Sequence, residues 1–116
     1  MTPEPDAAGE RAAFQRRVDE LLRDLVQRFD AFDPDECEAE TSEGVIKLLF
    51  ADGSRCVLNR QSAANQVWLA EGTTAWHFEF DAAAGAWRDT KGRGELRAIL
   101  GQMLTRRLGR PVALEG

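Results

Sequence analysis

The sequence predicts an α+β domain in which two helices lie on one face of an antiparallel sheet of about six strands. Apolar residues recur at helical spacing near both ends of the 116-residue chain, and short alternating segments joined by tight turns lie between them. Short turns join antiparallel neighbours. Each predicted helix has one apolar face. A two-layer sandwich with both helices on the same side of the sheet buries both of those faces.

The first helix is predicted from Glu10 to Asp33. Residues 1–9 contain two prolines, small residues and acids, which predict a short disordered tail before a single domain over residues 10–116. Pro34 ends the helix. Its apolar residues recur at spacings of 3, 4 and 7 and fall on one stripe: Phe14, Val18, Leu21, Leu22, Leu25, Phe29 and Phe32.

Alternation and turn residues predict the six strands that follow. Asp52-Gly53 is a dipeptide typical of hairpins, and Ser42-Glu43-Gly44 forms another turn. In the first strand, carboxylates alternate with the small apolar residues Cys37 and Ala39, so the carboxylates share one face. The predicted strands cover residues 36–40, 45–50, 55–60, 66–70, 75–80 and 86–88.

The second helix is predicted over residues 96–108. Its apolar residues return at helical spacing, and Gly109 is a natural stop. Residues 111–114 form an apolar segment that is too short for a helix, and we expect it to lie back against the helices.

The charge distribution points to one acidic surface. The formal net charge is −5, but residues 1–43 carry 13 acids and 5 bases, whereas residues 44–116 carry 7 acids and 10 bases. Such a run is most often solvated surface, and a cationic ligand or a basic partner is the functional alternative. From Asp30 to Glu43 there is no base, and the seven acids are Asp30, Asp33, Asp35, Glu36, Glu38, Glu40 and Glu43.

Composition argues against several classes of protein. The chain has no apolar run near the ~20 residues of a membrane helix, and two cysteines do not make a disulfide scaffold. Net negative charge disfavours general nucleic-acid binding. The N-terminal residues show neither a secretory nor a transit-peptide pattern. Cys37 and Cys56 are predicted as small buried thiols, since no Cys-x-x-Cys motif is present.

The carboxylates of the acidic run are the candidate metal ligands. Hard cations accept carboxylate oxygens. Glutamates two residues apart on a strand lie about 7 Å from one another, so we expect several weak, exchangeable sites rather than a closed cage. The same row of charge would also orient a basic partner. The candidates are Asp30, Asp33, Asp35, Glu36, Glu38 and Glu40.

Trp68 is predicted to face outward on the open side of the sheet, because its neighbours Val67 and Leu69 would face the helices. Partial cover by neighbouring side chains and an exposed interface anchor remain alternatives for this tryptophan. His77 is predicted to face outward with Glu79. A solvated surface histidine is favoured over a metal ligand there.

Several of these segments resemble the frataxin family, most closely its bacterial members. The similarity is carried by Asn59-Arg60-Gln61 and by Gln66-Val67-Trp68-Leu69-Ala70 after a Gly53-Ser54 turn. His77-Phe78, Trp87 and the acidic run also resemble the family. The similarity covers roughly residues 10–114. One departure is the stretch 26–31, which is mostly neutral where bacterial relatives carry paired acids.

The resemblance implies an iron-binding protein of iron–sulfur cluster assembly. It implies weakly bound Fe²⁺ or Fe³⁺, and docking on a cysteine desulfurase and its scaffold protein as an iron-dependent regulator or iron donor. It also assigns the partner-binding surface to Asn59, Gln66 and Trp68, with Arg60 either joining them or pointing the other way. We expect a non-catalytic bacterial cytoplasmic monomer, without nucleic-acid or membrane partners and with possible iron-driven oligomers. A ferroxidase or iron-storage protein using the surface carboxylates is the alternative.

Overall fold

In the computed structural model, residues 7–115 are described, and they form two helices and one six-stranded sheet. The helices are α1 (Ala7–Phe29) and α2 (Leu96–Leu108). Neither is long and apolar enough to span a membrane. The strands are β1 (Cys37–Ser42), β2 (Val45–Phe50), β3 (Arg55–Gln61), β4 (Gln66–Glu71), β5 (Thr74–Asp81) and β6 (Ala86–Asp89), and a 3₁₀ turn, Ser62–Ala64, links β3 to β4.

The bounds of α1 differ from the prediction at both ends. The helix begins at Ala7, so residues 7–9 of the predicted tail are helical, while residues 1–6 lie outside the described residues. It ends at Phe29 rather than Asp33, because the Phe32 N–H donates to the carbonyl only three residues back. Phe32 still stacks on Phe29 with 6.0 Å between ring centroids. A turn can therefore keep the apolar spacing of a helix.

The sheet confirms the predicted architecture. Its strands lie in chain order, and every neighbouring pair is antiparallel. Gly44 and Gly53, in the first two hairpins, have φ angles of +73° and +86°, which glycine adopts without strain. The pairing places Trp68 opposite Asn59 on one side and His77 on the other.

The core lies between the sheet and the two helices. Both helices contribute fully buried side chains, so both lie on the same face of the sheet, and the other face is left open to solvent. Cys37 and Cys56 belong to this core, where burial raises the pKa of the first thiol to about 11 and of the second to about 12. As predicted, these thiols are buried, and at neutral pH they remain protonated.

The C-terminal segment lies against α2, as predicted. Gly109 ends the helix with a φ of +69°, and Leu114 is 2% exposed. The Thr105 hydroxyl donates to the Gly101 carbonyl at 2.8 Å and accepts from the Val112 N–H at 2.9 Å. Gly101 permits this close approach, since a Cβ there would lie 3.1 Å from the Val112 carbonyl oxygen.

We expect Thr105→Val to lower the free energy of unfolding by about 1 kcal/mol, because the half-buried Val112 N–H loses its acceptor while side-chain volume is kept. Urea denaturation measures this change. Gln102→Ala, at an exposed position of the same helix, is the control. Equal stability of the Thr105→Val variant and the native chain would show that the hydroxyl does not hold the segment.

Candidate functional site

The acidic strip, defined as Asp30, Asp33, Asp35, Glu36, Glu38 and Glu40, runs from the end of α1 through a turn into β1. β1 is an edge strand of the sheet. All members except Glu36 are exposed. In the turn, the Asp33 carboxylate accepts a hydrogen bond from the Asp35 N–H at 3.0 Å. The six residues therefore form one continuous surface across the end of α1, the turn that follows it and β1.

Strand alternation places two glutamates of the strip on the open face of the sheet. Cys37 is buried, the next residue, Glu38, is exposed, and Glu40 is exposed two residues further on. Across the strand pair, Glu38 lies opposite Leu49 and Glu40 lies opposite Lys47. The predicted alternation of β1 is confirmed.

Glu36 differs from the rest of the strip because a guanidinium holds it. The Arg110 Nε and Nη2 atoms donate to the two Glu36 carboxylate oxygens at 3.1 and 2.9 Å. These bonds hold the pKa of Glu36 below its ordinary value. The other five carboxylates of the strip form no ion pair within the described part of the chain. A metal role for Glu36, as predicted, would require this ion pair to open.

The carboxylates of the strip do not converge on a common point. Among residues 7–115, no group of three or more histidine, cysteine, aspartate or glutamate side chains is placed to hold a metal ion. Exposed carboxylates of this kind can bind hard cations one at a time or through water, with fast exchange. The metal role of the six predicted ligands stays a prediction.

We expect the double variant Glu38→Gln, Glu40→Gln to weaken Fe²⁺ binding at least about twofold more than Glu36→Gln does, because Glu36 is already neutralised by Arg110. Anaerobic titration calorimetry with Fe²⁺ measures the difference. Glu20→Gln removes one exposed carboxylate from α1, away from the strip, and serves as the control. An equal or larger loss in Glu36→Gln would contradict the assignment of the free ligands.

The Trp68 cluster, defined as Asn59, Gln66, Trp68 and His77, occupies the open face of the sheet. The Trp68 Nε1–H donates to the Gln66 Oε1 atom at 2.8 Å. The indole stacks on the His77 imidazole with ring centroids 4.2 Å apart and planes 10° apart. Val67 and Leu69 are fully buried on the other face. The predicted outward orientation of Trp68 and His77 is confirmed, and Trp68 is half-buried by its neighbours.

Arg60 is not part of this cluster. It follows the buried Leu58 by two residues, so it lies on the helix side of β3. Its Nη1 atom donates to the Gln15 Oε1 atom at 3.0 Å and lies 3.5 Å from an Asp19 carboxylate oxygen. The alternation of Cys56, Leu58 and Arg60 could have predicted this direction. Of the four predicted partner-binding residues, the structure brings together three and places Arg60 behind them.

An ion pair between a buried aspartate and a partly exposed arginine lies beside β5 and was not predicted from the sequence. The Asp89 carboxylate has no exposed surface and accepts from Arg93 Nε at 2.7 Å, from Nη2 at 3.1 Å and from the backbone N–H at 3.0 Å. Arg93 Nη2 also donates to the Ala75 carbonyl at 2.8 Å. The hydrogen bonds from the Arg93 side chain lower the pKa of Asp89 to about 2. An aspartate four residues before an arginine, across a glycine-containing turn, was the available signal.

Two helices on one face of a six-stranded antiparallel sheet, with an acidic edge and a tryptophan on the open face, define a small α+β sandwich of one known class. The model of the frataxin-like domain matches residues 8–110. The chain belongs to the frataxin family.

Named relatives agree with this membership. The chain is 32% identical over 103 residues to an iron-sulfur cluster assembly protein CyaY of Thioalkalivibrio sulfidiphilus, covering 88% of this chain and 96% of that one. It is 40% identical over 74 residues to the protein of the same name from Delftia acidovorans, covering 64% of this chain and 66% of that one.

Solved structures show the same fold. Frataxin from Psychromonas ingrahamii superposes with a TM-score of 0.81 at 19% identity, over 91% of this chain and 98% of that chain. A trimeric frataxin from the yeast Saccharomyces cerevisiae, complexed with ferrous iron, gives a TM-score of 0.64 at 25% identity, over 94% of each chain.

Proposed function

We propose that this protein acts in iron–sulfur cluster assembly, as an iron-dependent regulator or iron donor that docks on the cysteine desulfurase and its scaffold protein. Relatives that are named as iron–sulfur cluster assembly proteins and a yeast frataxin complexed with ferrous iron support the proposal. The observation that carries it is the placement of Glu38 and Glu40 on the same open sheet face as Trp68.

The acidic strip supplies two functions in this proposal. Its exposed carboxylates offer oxygen ligands to iron, which is the cargo and is held weakly because the ligands do not converge. The same charges attract a basic partner surface, which speeds encounter and orients docking. Both uses draw on the same side chains, so iron and partner compete for the strip or modulate one another through it.

The Trp68 cluster forms the close contact with the partner, and the charges of the acidic strip orient the partner for that contact. A large aromatic side chain surrounded by amide groups is typical of a binding hot spot. Val45 and Val57 lie near it on the open face, both half-buried, and add apolar surface. We therefore assign steering to the strip and most of the binding free energy to the cluster around Trp68.

The test of this function is the rate of cluster formation by desulfurase and scaffold, with and without the protein, over a range of iron concentrations. We expect the rate to change on adding the protein and the change to depend on iron. The variant Glu38→Gln, Glu40→Gln is expected to lose most of this iron dependence, whereas Glu20→Gln keeps it. A rate that is indifferent to the protein at every iron concentration would refute the proposal.

We propose a non-catalytic role rather than a ferroxidase. Dedicated ferroxidase centres place glutamates and a Glu-x-x-His motif inside a helical bundle, and the single histidine of this chain, His77, follows Thr74 at that spacing. Oxygen uptake at stoichiometric Fe²⁺ distinguishes the two. Many turnovers above the buffer background would establish ferroxidase activity and overturn the non-catalytic role.

We place the protein in the bacterial cytoplasm as a monomer in the absence of iron. Gel filtration with and without Fe²⁺ tests the oligomeric state. A monomer without iron and larger species with iron would agree with the possible iron-driven assembly, and a stable oligomer without iron would contradict the monomer.

A further inference from the structure

The sheet ends on one side with two strands of unequal length. β5 has eight residues and β6 has four, and their pairing covers only Phe78 to Asp81 of β5. In the described part of the chain, residues 74–77 of β5 therefore pair with β4 on one side and with no strand on the other. An edge of this kind presents backbone groups to which another extended chain can pair, unless the fold covers it.

The loop that follows β6, residues 90–94, folds back over this edge. The Thr90 N–H donates to the His77 carbonyl at 2.8 Å, and the Arg93 Nη2 atom donates to the Ala75 carbonyl at 2.8 Å. Alternate residues of an antiparallel strand form their hydrogen bonds on opposite sides, so the backbone groups of Ala75 and His77 both point away from β4. The loop thus occupies both of the outward carbonyls in the segment.

The ion pair with Asp89 holds Arg93 in this position. The buried carboxylate accepts from Nε at 2.7 Å and from Nη2 at 3.1 Å, and the same Nη2 atom forms the bond to Ala75. The backbone N–H of Arg93 also donates to Asp89, at 3.0 Å. The guanidinium is therefore fixed by its own loop while it contacts the neighbouring strand, which is the geometry of a latch rather than of a freely moving surface arginine.

The two edges of the sheet differ in charge. β1, at the other edge, carries Glu38 and Glu40, so two copies that met along β1 would place carboxylates near one another. Residues 74–77 contain no acid, lysine or arginine, and threonine and tryptophan favour strands. Without its cover, the β5 edge is thus the one that suits the same edge of a second copy, in an antiparallel, two-fold symmetric pairing.

We propose that residues 90–94 form a cap on the β5 edge, with Arg93 as its main contact, and that this cap prevents a second copy of this chain from adding to the sheet. Opening the cap lets two copies pair along residues 74–77. The inference concerns self-association and does not rest on the proposed role in cluster assembly.

The double variant Asp89→Asn, Arg93→Met opens the cap. Methionine cannot donate to the Ala75 carbonyl, and Asp89→Asn avoids a buried carboxylate without its cation while its amide oxygen still accepts from the backbone N–H of residue 93. Analytical ultracentrifugation with a chelator present, so that iron takes no part, measures self-association. We expect an association constant at least about tenfold above that of the native chain, because pairing adds two or more backbone hydrogen bonds.

Two controls separate edge pairing from a general effect of lost stability. Leu108→Ala, at a half-buried position of α2, destabilises the fold without altering β5 or the cap, and we expect it to stay monomeric while it is folded. Adding Ala75→Pro to the double variant removes an N–H that points away from β4, so the edge loses a donor and the sheet keeps its own hydrogen bonds. This triple variant is expected to return to the native association constant.

Amide hydrogen exchange identifies the surface that pairs. The Ala75 and His77 N–H groups point outward, so we expect their exchange to slow with rising protein concentration in the double variant and not in the native chain. If the double variant does not fold, Thr90→Pro replaces it under the same criteria, since this substitution removes only the bond to the His77 carbonyl and leaves the ion pair.

The cap is refuted if the double variant is folded and no more associated than the native chain. It is also refuted if Ala75→Pro fails to reverse the association, or if Leu108→Ala associates equally, because another surface would then be responsible. Self-association of the native chain with slowed exchange at Ala75 and His77 would show that the loop does not cover the edge. None of these results depends on the rate of cluster formation, so the proposed function fails or stands separately.

Discussion

Replacing Asp89 by alanine is expected to lower the free energy of unfolding by about 3 kcal/mol. The carboxylate has no exposed surface and accepts three hydrogen bonds from Arg93, two of them from the guanidinium. Removing one member of such a pair leaves the other without its partner. The Arg93 side chain is 35% exposed and can turn toward water when its partner is removed. The decrease in the free energy of unfolding therefore lies near the lower end of the range for breaking buried ion pairs.

The same ion pair makes stability depend on pH in a defined direction. The pKa of Asp89 falls from its usual 3.8 to about 2 in the folded protein, mainly through the hydrogen bonds from Arg93. The resulting stabilisation, about 2 kcal/mol, is fully present above pH 4 and is lost as the pH falls toward 2. Asp89→Asn removes the titrating group, so this part of the acid dependence disappears in that variant.

Urea denaturation at pH 7 and between pH 2 and 5 measures both effects. Asp81→Ala is the matched control, since Asp81 pairs with Arg88 on the surface at 3.3 Å and its side chain is 39% exposed. We expect that control to lower stability by about 1 kcal/mol, because Asp81 also accepts hydrogen bonds from the exposed Ala83 and Ala84 N–H groups at 3.0 and 3.2 Å. Equal losses in Asp89→Ala and Asp81→Ala would show that burial adds nothing to the Asp89–Arg93 pair.

The Asp89–Arg93 pair also bears on the candidate site. Arg93 Nη2 donates to the Ala75 carbonyl, and its guanidinium lies 5.5 Å from the Trp76 ring centroid. Both residues belong to β5, the strand that carries His77. The loop after β6 is thereby bound to β5, the strand whose His77 stacks on Trp68.

Local pattern was sufficient for most of the fold. The period of two in β1 to β6 and the turn residues between them predicted each strand to within two residues, because each hairpin is determined by neighbours in sequence. The end of α1 was misplaced, since Phe32 keeps the apolar spacing of the helix while the backbone has already turned. Hydrophobic periodicity does not distinguish these two conformations.

The site was predictable where it depends on alternation and unpredictable where it depends on distant contacts. The outward direction of Trp68 and the helix-side direction of Arg60 both follow from strand period. The stack of Trp68 on His77 follows from the two-residue turn, Gly72 and Thr73, which fixes the β4–β5 register. The contact of Glu36 with Arg110 joins residues 74 positions apart, and only the folded chain shows it.

Trp68→Ala is expected to weaken binding to the desulfurase–scaffold complex about 30-fold or more, while the fold is kept. The indole lies on the open face, half-buried by Gln66 and His77, and does not belong to the buried core. Loss of an aromatic anchor at the centre of an interface costs about 2 kcal/mol or more of binding free energy. In the folded protein the indole contributes the stack on His77 and one hydrogen bond. We therefore expect Trp68→Ala to lower the free energy of unfolding by no more than about 1.5 kcal/mol.

Affinity and thermal stability of the same preparations decide between an interface and a structural role for Trp68. Trp68→Phe keeps a ring against His77 but loses the Nε1–H bond to Gln66, so it is expected to recover most of the affinity if stacking and area dominate. Arg16→Ala, on the exposed face of α1, controls for general effects of substitution. A large fall in stability for Trp68→Ala would make the indole part of the structural framework. If Trp68→Ala changes neither affinity nor stability, Trp68 is not part of the docking surface. The partner oriented by the acidic strip would then contact another part of the sheet.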